Sequence, residues 1–146
     1  HLFIPGLVSF LLAHLAYIYG MYVPITTTTY FSFPVLFAYY YWIMSQLIPK
    51  AKDELRIPIL IYGIAICSMG LMAINRVFSS SIAKTSAILG LLGSLSFVLS
   101  DSILAFNKFY APIENAKFLV MVTYYSAQIL ITASVLSAPS SSTKAK

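Results

Sequence analysis

Four polar side chains fall inside otherwise apolar stretches of this chain: His14, Asp101, Tyr124 and Gln128. Lipid penalises such groups, so they are where function is sought in a membrane-like sequence. A carboxyl, an imidazole, a phenol and an amide at one depth have three uses. They can move a proton within a hydrolytic site, hold a polar solute or lipid without chemistry, or satisfy one another across helices as structural hydrogen bonds. Asp101 is the only acid so placed and is the strongest candidate. Its bland reading is a structural carboxyl satisfied by Ser100, Ser102 or a tyrosine hydroxyl.

Helical spacing sharpens the set. Ser86, Gly90, Ser94, Phe97 and Asp101 recur in steps of 4, 4, 3 and 4 and share one face. That face is rich in small residues and suited to close helix packing, so Asp101 is expected to point into a bundle. Lys117, Met121, Tyr124, Gln128 and Thr132 share a face in the same way, as do Phe10, His14 and Tyr17.

The elements that must carry these residues follow from composition. Of 146 residues, 60% are apolar and only 9% are charged, against roughly a quarter in a soluble domain. With a mean hydropathy of +0.87, the expected solvent is lipid and the expected fold is an all-α polytopic helix bundle. Five apolar runs are long enough to cross, at about 2–19, 30–48, 57–75, 84–106 and 116–137. Polar links separate them: Pro24 with four threonines, the charged 49–58 loop, Ser79 to Ser81, and a segment holding Pro112 and Glu114. Residues 1–137 therefore form one transmembrane domain, and the Ser-, Pro- and Lys-rich 138–146 is an expected disordered tail. The first run lacks the basic leader and the cleavage site of a signal peptide, and the opening His1 suggests a missing N-terminal part.

Five crossings place Lys50, Lys52, Arg56, Lys108 and Lys117 on one side, with Arg76, Lys84, Lys144 and Lys146 on the other. That balance does not fix orientation. At a rise of about 1.5 Å per residue, His14, Asp101, Tyr124 and Gln128 share a band between the first side and the midplane. Arg76 lies some 20 Å or more from Asp101 by the same rise and is not its expected partner. It reads as an interfacial anchor, with lipid phosphate as the alternative.

Other features are excluded or bland. The net charge of +5 is scattered, with no basic stripe for nucleic acid. One cysteine, Cys67, makes no internal disulfide, and with two histidines it makes no zinc site. Cys67 is expected to be buried and inert. The Tyr39-Tyr40-Tyr41-Trp42 stretch reads as packing and an interface belt. No phosphate-binding glycine loop, zincin pair or nucleophile elbow is present, and no cofactor is implied.

Three stretches together resemble the YhhN family of membrane proteins, which includes the lysoplasmalogenases (transmembrane protein 86-like). Residues 6–17 follow its G-L-x-x-F-x-x-x-H-x-x-Y pattern through Phe10, His14 and Tyr17. Residues 100–109 follow S-D-x-x-L-A-x-x-x-F through Asp101. Residues 124–134 follow Y-Y-x-A-Q-x-L-I-x-x-S through Tyr124, Tyr125 and Gln128. Asn75-Arg76 sits where the family has an Ala-rich helix ending in Arg. Family members have about eight crossings, so the resemblance makes this chain the C-terminal five. A Lys-Pro segment and a second intramembrane aspartate would lie upstream.

The resemblance implies hydrolysis of the vinyl ether of a lysoplasmalogen to an aldehyde and glycerophospho-choline or -ethanolamine, in an internal membrane such as the endoplasmic reticulum. Cleavage begins by protonating the β-carbon, which needs a general acid. Desolvation within a bundle disfavours the charged form of a carboxyl and so suits that task. On this reading Asp101 is the acid, His14 tunes the site or acts as base, and Tyr124, Tyr125 and Gln128 hold the water or the glycerol oxygen. Tyr17 and Arg76 join the substrate-binding set, and Lys108 and Lys117 meet the phosphate at the rim. The expected partners are a lysophospholipid substrate and the surrounding lipid. Short of the resemblance, a lipid- or solute-binding membrane protein, a transporter or a structural subunit stays open.

Overall fold

Prolines and charges decide where the helices begin. The computed structural model describes residues 3–137, so the expected tail at 138–146 lies outside them. Helix α1 runs Phe3–Gly20, α2 Phe33–Leu47, α3 Asp53–Phe78, α4 Lys84–Ala105 and α5 Ala116–Leu136. Pro34 sits in the first turn of α2, where its missing N–H costs nothing. Helix α3 starts earlier than the expected 57, because Asp53 and Glu54 in its first turn suit the positive end of the helix dipole. Pro58 is carried inside that helix at the loss of one backbone bond. Beyond Ala105, α4 continues as one wide turn, Phe106–Tyr110, closed by Ala111 N donating to Phe106 O at 3.0 Å. Asn115 then turns the chain into α5 with a left-handed φ of 56°, a conformation asparagine tolerates.

All regular elements among the described residues are helical. Three are long and apolar enough to cross a membrane: Asp53–Phe78, Lys84–Tyr110 and Ala116–Leu136. The apolar part of α1, Pro5–Gly20, is shorter. The expected second run divides into a 15-residue α-helix flanked by 3-10 turns at Thr27–Ser32 and Ile48–Lys50.

Helices α4 and α5 form the tightest pair. Ser86, Gly90, Ser94, Phe97 and Asp101 are all buried on α4, as its spacing predicts, and Gly93 and Ser100 are buried beside them. Gly93 allows the backbones to meet: a Cβ there would lie 2.9 Å from Ile131 N and 3.1 Å from Ala127 O. Ser86 and Ser134 lock the far end, each hydroxyl donating to the other's backbone carbonyl at 2.7 Å. The face expected for α5 is corrected. Its buried residues are Ala116, Ala127, Ile131 and Ser134. The backbone approach at Gly93 requires small Ala127 in the seam, so Tyr124 and Gln128 are only half-buried beside it and Lys117, Met121 and Thr132 are exposed.

Asn75 ties the α1–α2 link to α3. Fully buried, it donates through Nδ2 to Val23 O at 3.0 Å and Pro24 O at 3.1 Å. Its Oδ1 accepts from Thr26 N at 3.0 Å and Thr29 Oγ1 at 2.5 Å. Asn75→Ala leaves several buried polar groups without partners, at about 1–3 kcal/mol for each left unsatisfied. A lowered thermal midpoint in detergent is the expected result; an unchanged midpoint would show that this link is not held by the side chain.

Candidate active site

Asp101 stands on the buried face of α4, just over one turn before the wide turn, and is 7% exposed. Its Oδ2 accepts a hydrogen bond from the Tyr62 hydroxyl of α3 at 2.9 Å. His14 of α1 approaches the same oxygen, with Nε2 at 3.4 Å. The imidazole is fully buried and wedged edge-on against Phe97, at 4.7 Å between ring centroids, and Tyr62, at 5.3 Å.

The hydrogen bonds constrain the protons. His14 Nδ1 lies 2.8 Å from Phe10 O. A carbonyl only accepts, so Nδ1 carries the hydrogen. Among the described residues Nε2 has no other partner, and it faces a carboxyl oxygen. Those two atoms attract only if one proton lies between them, as a carboxylic acid donating to a neutral imidazole or as an imidazolium facing a carboxylate. Either way the buried pair is neutral overall, which avoids the cost of a lone buried charge.

In front of this pair lies a cavity of about 400 Å³. Its walls come from both ends of the helix sequence: Leu7 and Phe10 of α1, Tyr39 and Leu47 of α2, Ile59 and Ile66 of α3, and Asp101 to Lys108 of α4. The start of α1, end of α2, start of α3 and end of α4 therefore meet on one side, as alternating helices require. Tyr39 donates to Ser102 Oγ at 2.7 Å, and Ser102 donates to Val98 O at 2.6 Å. Asp101 and Tyr62 reach the cavity, while His14 stands behind them and does not line it.

The other sequence candidates divide. Lys108 lines the cavity at the end of α4. Tyr124 packs its ring on Phe97 at 5.5 Å and Phe10 at 5.8 Å. Gln128 accepts from the Tyr17 hydroxyl at 2.7 Å, and Tyr17 in turn packs on Phe97. Phe97 is thus the common neighbour of His14, Tyr17 and Tyr124, and none of these, nor Gln128, lines the cavity. Tyr125 is 58% exposed, and Lys117 is exposed too. Arg76, read from sequence as an interfacial anchor, is buried at the opposite end, donating to Ser86 Oγ at 2.9 Å. Cys67, expected to be buried, is half-buried and lines the cavity. In the aromatic stretch, Tyr39 and Tyr40 line the cavity while Tyr41 and Trp42 face outward.

Tyr62 was not among the sequence candidates, although a signal existed. It lies nine residues from the start of α3, which is the depth band of Asp101.

Comparison with known proteins decides the lineage. The profile described as "YhhN family" matches residues 1–135. The chain belongs to the YhhN family. It is similar to the human lysoplasmalogenase TMEM86B, 28% identical over 138 residues, which is 94% of this chain and 55% of that protein. The pig lysoplasmalogenase TMEM86B is 31% identical over 137 residues, with the same shares. A shorter match joins it to human lysoplasmalogenase TMEM86A, 43% identical over 44 residues, 30% of this chain and 18% of that protein. The chain spans about half the length of the TMEM86B relatives it matches. No solved structure matches it. As a YhhN-family chain with three helices apolar and long enough to span, it is an integral membrane protein.

Proposed function

We propose that this chain carries the acid half of a site that hydrolyses the vinyl ether of lysoplasmalogens. One observation carries the reading: among the described residues a single carboxyl, backed by a buried imidazole and a tyrosine hydroxyl, faces a mostly apolar cavity within a helix bundle. The names of the TMEM86 relatives supply the substrate class. Asp101 gives its proton to the β-carbon of the vinyl ether, the C=C pair forms the new C–H bond, and the ether oxygen stabilises the resulting oxocarbenium ion. Water adds to the cationic carbon and returns a proton to the Asp101 carboxylate. The hemiacetal then collapses to a fatty aldehyde and the glycerophospho-alcohol, so one water is consumed and the acid is restored.

His14 acts through Asp101 and is a positioning residue, because the Nδ1–H bond to Phe10 O fixes which nitrogen it presents. Tyr62 holds Asp101 Oδ2 in line and closes one wall. The finer placements belong to the same proposal: the phosphate at the Lys108 rim, and an internal membrane such as the endoplasmic reticulum as the site of action.

The test is aldehyde release from a lysoplasmalogen by the purified protein in detergent. Release above a heat-inactivated control supports the reading; folded protein without release refutes it. Tyr62→Phe removes one hydrogen bond and keeps the ring. It is expected to lower kcat about tenfold, the value of a hydrogen bond to a charged group of 1.5 kcal/mol or so, with KM little changed. An equal rate would show that Tyr62 only fills the wall.

A further inference from the structure

The cavity has a direction, and Asp101 stands part-way along it. On α3 its lining runs from Ile59 to Cys67, eight residues or about 12 Å of rise. On α4 and its wide turn it runs from Asp101 to Phe109, eight residues or about 12 Å. The two helices are antiparallel, so Lys108 marks the outer end and Cys67 the inner end. Tyr62, bonded to Asp101, fixes the carboxyl between them. A cationic side chain therefore stands at the outer mouth, an acid in the middle and only weakly polar or apolar groups inside.

Gly63 shapes the inner half. A Cβ there would lie 2.5 Å from Met44 Cε and 3.0 Å from Tyr40 Cε2, and all three residues line the cavity. Any side chain at 63 must displace the tip of Met44 or itself enter the space. At about 400 Å³ the volume lies near the lower end of the range for ligand pockets, ~300–1,000 Å³, and suits one hydrocarbon chain rather than two.

Taking the single-chain phospholipid of the proposed function as occupant, with its tail inward, we infer from this order of groups that Gly63 determines what the slot accepts. The inference rests on the proposed function for the class of lipid bound, while the role of Gly63 is read from binding alone. A single chain places its first carbons between Asp101 and the Tyr40–Gly63–Cys67 wall with its phosphate toward Lys108. A volume of about 400 Å³ leaves no room inside the slot for a second chain.

Cys67 is the one cysteine in the chain and sits at the inner end, so it reports occupancy directly. The experiment measures its modification by a small uncharged thiol reagent in detergent, with hexadecyl lysophosphatidylcholine bearing a saturated ether as protectant. That ligand contains no vinyl ether, so protection does not depend on turnover. Protection by the single-chain lipid and not by dipalmitoyl phosphatidylcholine is the expected result. Gly63→Leu is expected to raise the protecting concentration about tenfold or more, as for a misfit of a methylene or so in an apolar pocket. Gly63→Ala, which needs the tip of Met44 to move and the Tyr40 ring to give slightly, is expected to shift it in the same direction by less and decides the matter should the leucine variant not fold. Equal modification with and without the single-chain lipid, equal protection by the diacyl lipid, or unchanged protection in both variants would overturn the slot. Protection without any aldehyde release from a lysoplasmalogen would leave the slot standing and remove the hydrolase reading. Release without protection would do the reverse.

Discussion

Asp101→Asn is expected to lower aldehyde release by about 10²–10⁴-fold, the usual contribution of a positioned general acid. The amide keeps the volume of the carboxyl, and its oxygen still accepts from Tyr62, so the bundle should fold. What the amide lacks is a transferable proton. The effect should fall on kcat, because the cavity that holds the lipid is otherwise unchanged. A structural role for Asp101 gives the opposite pattern: a lowered thermal midpoint with near-normal turnover in whatever protein stays folded. Asp101→Ala is the less informative change, since it also leaves the Tyr62 hydroxyl and His14 Nε2 without partners and mixes the two effects.

The second large effect is on the fold. Gly93→Leu should abolish the α4–α5 pairing, and Gly93→Ala should already cost about 1–3 kcal/mol. Two of the atoms a Cβ would meet, Ile131 N and Ala127 O, are backbone, so the neighbouring helix cannot yield by changing a rotamer. The displacement would travel along α4 to Phe97 and Asp101 on the same face, and activity should fall with stability. Gly6→Ala is the control. Nothing lies within 4 Å of a Cβ there, so it should be neutral or raise stability by up to about 1 kcal/mol through helix propensity. Thermal midpoints in one detergent compare the three proteins. Equal midpoints for Gly93→Ala and Gly6→Ala would mean that the helices are not in backbone contact.

Much of this arrangement was legible because lipid-embedded helices advertise their buried face through small and polar residues. On α4 the steps from Ser86 to Asp101 pick out the packed side, and every member is buried. On α1 the same holds for His14, whose spacing from Phe10 and Tyr17 orients it inward. Helix α5 misled for a physical reason. Its seam is chosen by small Ala127 against Gly93 rather than by its polar residues, so Tyr124 and Gln128 fall to one side. Arg76 misled in another way. A cation near a helix end is normally an interfacial anchor, yet here the hydroxyl of Ser86 offers it a buried acceptor on the next helix. Tyr62 was legible in depth but not in direction, because a tyrosine within a long apolar run has no polar spacing partner on its own helix. Its meaning comes from Asp101, 39 residues away. The polar knot on Asn75 depends likewise on where the threonine link lands.

Carrying out the reaction in deuterium oxide tests proton delivery to carbon most directly. Aldehyde formed from a lysoplasmalogen should carry one deuterium on the carbon next to the carbonyl, read by mass spectrometry after trapping, and Asp101→Asn should produce almost none of that product. Aldehyde without deuterium at that carbon, or labelled aldehyde formed at an undiminished rate by Asp101→Asn, would show that Asp101 is not the acid that breaks the vinyl ether.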